Sequence, residues 1–79
     1  MYTHDFTGRA PSIAQVKAQI KKAVAAGHDW IEISWGENWI KLERRQYNGY
    51  FGPWFGEGWI RRIGGDNLAR ELSLQERGQ

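Results

Sequence analysis

The sequence predicts a small two-layer α+β domain in the order α-β-β-β(-β)-α, an antiparallel β-meander packed by helices on one face. Three observations carry this. Apolar residues recur at helical spacing from Ile13 to Val24, and they alternate at strand spacing from Trp30 to Glu43. Turn-forming glycines then divide the strand-like runs that follow. With 79 residues and neither linker nor internal repeat, residues 1–79 form a single domain. A chain this short buries only about 60% of the surface its unfolded form exposes, so every large apolar side chain matters to it.

Residues 1–10 are polar and mixed and are expected to be a loosely ordered lead-in. A helix over 12–26 follows. Ser12 caps it, Gln15 three residues later completes a capping box, and Pro11 disfavours helix upstream. Ile13, Val16, Ile20, Ala23 and Val24 share one face, with Lys17, Lys21 and Lys22 turned elsewhere. Gly27 ends the helix as a C′ residue.

An antiparallel sheet is expected over 29–63. A two-residue turn at Gly36-Glu37, of type II′ because glycine supplies the positive φ, sets Ile33 opposite Ile40 and Ile31 opposite Leu42. Glu32 then faces Lys41, and Ser34 faces Trp39. A slip of one residue would set Ile33 against Lys41 and spoil every pair. The Asn48-Gly49 dipeptide predicts a second hairpin with a type I′ turn. It would pair Tyr47 with Tyr50 and Leu42 with Phe55, placing a third strand at about 50–55. Pro53 makes that strand short, irregular or an edge. After a turn at Gly56-Glu57-Gly58, Trp59 to Ile63 read as a fourth strand. Gly64-Gly65-Asp66 reads as a break plus an N-cap before a helix over 66–76, with Leu68, Ala69 and Leu72 inward.

Composition narrows the function classes. The absence of cysteine removes disulfides, thiolate metal sites and cysteine nucleophiles, and fits a reducing compartment. The first six residues have no basic-then-apolar leader, and no apolar run approaches the ~18 residues that span a bilayer. A cytoplasmic protein without a membrane partner is expected. Basic and acidic residues number eleven and nine, a net charge of +2 that permits a nucleic-acid partner without demanding one.

Catalytic chemistry has little to stand on. His4 and His28 each precede an aspartate, yet metalloenzymes built on His-Asp doublets draw further ligands that this chain lacks. Ser12 is committed to a cap, and neither Ser34 nor Ser73 sits on a strand-to-helix elbow. Glu32 faces Lys41. The glycines at 56 and 58 precede no helix, and Asp66 would repel a phosphate from the turn at 64–65. The expectation is a non-enzyme with no cofactor, no metal and no catalytic residue.

The aromatic content is the outlier. Eleven rings make up 14% of the chain, five of them tryptophan, and nine of the eleven lie between Trp30 and Trp59. Some fill the core, since each buries ~150–250 Å². The rest, with the neighbouring arginines, match the residue types enriched at interface hot spots. The expected partner-binding residues are Trp39, Arg44, Arg45, Tyr50, Phe51, Trp54, Phe55, Trp59, Arg61 and Arg62, with Trp54 and Phe55 as the apolar anchors. In size, lack of catalytic residues and aromatic-rich sheet, the chain resembles the small accessory proteins of phages and mobile elements. That resemblance implies an inhibitor or modulator docking on a host protein or nucleoprotein. The alternative is a single-stranded nucleic-acid-binding protein that stacks bases on its rings and holds phosphates with arginine. An edge strand near Pro53 or Trp59 offers a further route, to a homodimer.

Overall fold

The computed structural model describes residues 1–76, with the backbone alone at Glu76. It is an α+β domain. The strands are β1 (Tyr2–Asp5), β2 (Trp30–Trp35), β3 (Asn38–Glu43), β4 (Gln46–Tyr47), β5 (Tyr50–Phe51), β6 (Phe55–Gly58) and β7 (Gln75–Glu76). The helices are α1 (Ile13–Ala25) and α2 (Asn67–Leu72), and a 3₁₀ turn covers Ile60–Arg62. A five-stranded sheet runs β1-β2-β3-β6-β7, while β4 and β5 pair only with each other.

Local chemistry sets α1 as its sequence predicts. Ser12 Oγ accepts the Gln15 N–H at 3.1 Å, and Gln15 Oε1 accepts the Ser12 N–H at 2.8 Å. At the other end the His28 N–H reaches Ala23 O and the Gly27 N–H reaches Val24 O, a Schellman closure. Val16, Ile20 and Ala23 turn inward onto Ile31, Ile33 and Trp35 of β2 and Ile40 and Leu42 of β3. Ile60, Ile63 and Leu68 complete this core.

The β2–β3 hairpin has the expected register. Ile33 faces Ile40, Ile31 faces Leu42, Glu32 faces Lys41 and Ser34 faces Trp39. The turn is of type II′, with Gly36 at φ +58 and Glu37 in ordinary backbone.

Five expectations need correction. Residues 1–10 are not a loose lead-in throughout: β1 lies parallel to β2, with Tyr2 opposite Ile31 and Asp5 opposite Ser34. Tyr2 and His4 face the core side of the sheet, the Tyr2 hydroxyl donates to Gln19 Oε1 at 2.6 Å, and Phe6 packs against the core. Because β1 and β7 are both parallel additions, the sheet is mixed. Its centre, β2-β3-β6, keeps the antiparallel meander.

The third correction is one of register. Leu42 faces Gly56, and Phe55 faces Glu43. Tyr47 pairs with Tyr50 and the Gly52 N–H reaches Arg45 O, so the predicted register holds as far as Gly52. Pro53 and Trp54 then stand opposite the single residue Arg44, so the returning strand is moved by one, and the strand expected over 50–55 is split in two at a proline that cannot donate. Fourth, the turn expected at 56–58 is β6 itself, and the strand expected over 59–63 is a 3₁₀ turn. Ile60 and Ile63 are both buried while Arg61 and Arg62 point out, an i, i+3 pattern that suits a helical turn. Last, the helix expected over 66–76 stops at Leu72. Ser73 adopts left-handed backbone (φ +51), and the chain returns as β7. Asp66 stands at the N-cap position but caps nothing; its carboxylate faces Arg61 at 3.5 Å.

Candidate functional site

Both helices lie on one side of the sheet, which leaves three connected features exposed: a hairpin arm, the open sheet face and a tryptophan corner. The arm is β4–β5 with its turn. Asn48 (φ +49) and Gly49 (φ +86) form the predicted type I′ turn, and residues 45–51 are all exposed. Three rings sit on this short ladder, Tyr50 at 79% exposed, Tyr47 at 53% and Phe51 at 50%. Tyr47 leans over Gly52, where a Cβ would lie 2.8 Å from the ring. The arm meets the body through Arg44. Its Nε donates to Asp29 Oδ1 at 2.8 Å, and its guanidinium carbon lies 3.7 Å from the Phe51 ring centroid and 5.0 Å from that of Trp54. The Arg44 N–H also reaches Asp29 O. Trp54 packs against the core from this base, and its carbonyl accepts the Gln75 N–H.

The open face follows from strand alternation. With Ile31, Ile33, Ile40 and Leu42 inward, Trp30, Glu32, Trp39, Lys41 and Glu43 point the other way, joined by Asp5 from β1 and by Phe55 and Glu57 from β6. Among the described residues one lysine stands on these strands against four carboxylates, with Arg45 3.6 Å from Glu43 at the arm end, so the described face leans acidic although the chain as a whole carries +2. Lys41 is engaged by Glu32 at 3.7 Å and lies 5.0 Å from the Trp39 ring centroid. A shallow pocket of about 170 Å³ opens between Trp30, Lys41, Glu43, Phe55, Gly56 and Glu57.

The tryptophan corner lies at the far end of β3. Trp59 is 45% exposed, its N–H donates to Trp39 O at 2.9 Å, and Arg62 sits 5.1 Å from its ring centroid. Trp39 lies over Gly58, and only glycine suits that position. Its φ is +96, and a Cβ there would lie 2.5 Å from Trp39 O.

The ten sequence-predicted residues therefore do not form one patch. Arg44, Arg45, Tyr50, Phe51 and Trp54 gather at the arm, with Phe55 beside its base opposite Glu43. Trp39, Trp59, Arg61 and Arg62 gather at the corner, four residues along β3 and about 13 Å away at strand rise. The two residues expected to be leading anchors, Trp54 and Phe55, are both half-buried. More exposed rings on the same surface are Tyr47 and Trp30, neither of which is among the expected site residues. Glu43 and Glu57 were also missed; their strand parity puts them beside Phe55 once the register is known.

Among the described residues, no helix is long and apolar enough to cross a membrane. Comparison of the chain with protein-family models, curated proteins and solved structures finds no match.

Proposed function

We propose that this protein is a non-enzymatic, cytoplasmic binding module that docks on a larger protein or nucleoprotein and inhibits or modulates it, as the small accessory proteins of phages and mobile elements do. The observation that carries the reading is the arm, seven consecutive exposed residues presenting Tyr47, Tyr50 and Phe51 from a base held by Arg44. Aromatic side chains with few rotatable bonds are the residues that dominate interface energies, and a braced hairpin loses little freedom on binding.

Charge favours a protein surface as the target over a bare nucleic acid. Arg44 already faces Asp29, and Arg45 lies 3.6 Å from Glu43, so phosphates would compete with carboxylates for both arm arginines. The adjacent sheet face, with four carboxylates and one lysine among its described strand residues, disfavours phosphate as well. Single-stranded nucleic acid remains the alternative because of Trp59 and Arg62, a ring with a cation above it.

The test is affinity capture from the native host with the wild type and with Tyr50→Ala/Phe51→Ala, each with and without nuclease. Both positions are exposed, so circular dichroism should report an unchanged fold. A protein retained by the wild type through nuclease treatment and lost by the double variant is the expected result. Equal capture by both proteins would overturn the arm's role, and capture abolished by nuclease would shift the reading to nucleic acid.

A further inference from the structure

We propose that the pocket on the open sheet face receives an arginine side chain of the docked protein. The inference rests on the docking reading above and names the chemistry the partner must bring. At about 170 Å³ the pocket is smaller than the ~300–1,000 Å³ typical of small-molecule sites, and it suits a single long side chain.

Its walls combine two kinds of group. Trp30, 49% exposed, supplies a ring and Glu57 a carboxylate, while Phe55 and Glu43, the latter already 3.6 Å from Arg45, complete the wall. A planar guanidinium satisfies both at once, since it stacks on an aromatic face while donating in the plane to carboxylate oxygens. Lys41 also lines the pocket, but its ammonium is held by Glu32 at 3.7 Å and lies 5.0 Å from the Trp39 ring centroid, so its charge is committed farther along the face. Among the described residues no cation forms an ion pair with Glu57, its cross-strand neighbour Lys41 having turned to Glu32. The surrounding face is acidic, with Asp5 and Glu32 beyond the pocket, which adds long-range attraction for a basic segment.

Position links the pocket to the arm. Glu43 directly precedes Arg44, the residue that braces the arm, and Phe55 faces Glu43 across the ladder. A partner gripped by Tyr47, Tyr50 and Phe51 therefore passes over the pocket mouth. One bound partner would be held by apolar contact at the arm and by an arginine at the sheet.

The experiment is a titration of ¹⁵N-labelled protein with the peptide acetyl-Gly-Gly-Arg-Gly-Gly-amide, followed by NMR, with the glutamine analogue of the peptide as control. The arginine peptide should shift the Trp30 indole N–H and the Gly56 and Glu57 amides, saturating in the millimolar range. Glu57→Gln should weaken that binding about threefold to tenfold, and Trp30→Leu should weaken it as well. Tyr50→Ala/Phe51→Ala should leave the peptide titration unchanged. Shifts of equal size with the glutamine peptide, or an affinity unaltered by Glu57→Gln and Trp30→Leu, would overturn the pocket. A pocket that fails while arm-dependent capture persists removes this inference alone. An intact arginine titration without arm-dependent capture removes the docking reading and leaves the site.

Discussion

Replacing Arg44 by alanine tests whether the arm is a braced element or a loose loop. Arg44 is 15% exposed and makes three contacts that alanine abolishes: the 2.8 Å ion pair with Asp29 and the two ring contacts with Phe51 and Trp54. Asp29 is 46% exposed, so the ion pair belongs toward the lower part of the 0.2–1 kcal/mol range measured for surface pairs, about 0.5 kcal/mol. Each cation–π contact contributes about 0.5–1 kcal/mol at a partly exposed site. Together these give a loss of about 1.5–2.5 kcal/mol, a substantial part of the ~4–12 kcal/mol expected for a domain of this size. With a urea slope of about 1 kcal/mol/M, the unfolding midpoint followed by tryptophan fluorescence should fall by about 1.5–2.5 M. Hydrogen exchange at the Gly52 amide, which bonds Arg45 O where the arm leaves the body, should accelerate. Arg44→Lys keeps the charge but loses the planar stacking surface, and should recover less than half of the lost stability. An Arg44→Ala midpoint within ~0.3 M of wild type, with Gly52 protection unchanged, would refute the bracing argument.

Two further substitutions probe the scaffold beneath the site. Gly58→Ala should destabilise by about 2–4 kcal/mol in thermal or urea unfolding, because its φ is +96 and the added methyl would meet both the Trp39 carbonyl and the Trp39 ring. Stability equal to wild type would mean that β6 re-registers against β3. Tyr2→Phe should cost about 1–2 kcal/mol, since it leaves the Oε1 of the buried Gln19 without its donor. An unchanged unfolding free energy would place β1 among the frayed ends after all.

The parts legible in the sequence are those set by neighbours along the chain. The capping box, the Schellman end, both primed turns and the β2–β3 register depend on residues a few positions apart, and each appears at the residues expected. The strands joined by distant pairing were harder to see. Tyr2, His4 and Phe6 alternate with Thr3, Asp5 and Thr7, a period-two signal, but a four-residue strand at a chain end shows no partner until Ile31 arrives beside it. Strand β6 is Phe-Gly-Glu-Gly, a run of poor strand propensity that forms because Gly56 lets Leu42 and Ile60 close over it. The 3₁₀ turn did leave a trace: in a strand, Ile60 and Ile63 would face opposite sides, and only helical spacing buries both. The candidate site inherited the register error. With Phe55 opposite Leu42 it reads as an inward ring, whereas opposite Glu43 it becomes a wall of the outer pocket.

The two parallel strands impose an order on how the fold is reached. Strand β3 can find β2 across a two-residue turn and β6 after a short excursion, so the antiparallel centre assembles from nearby segments. Strand β1 must close a loop from Tyr2 to Ile31, and β7 one from Phe55 to Gln75, before either gains a hydrogen bond. Both outer strands are therefore expected to join after the centre has paired. In the native state the same hierarchy should run in reverse, with amides of β1 and β7 exchanging ahead of those in the central hairpin. The surface that carries Trp30, Trp39 and Glu43 is built on the strands whose pairing closes the shortest loops.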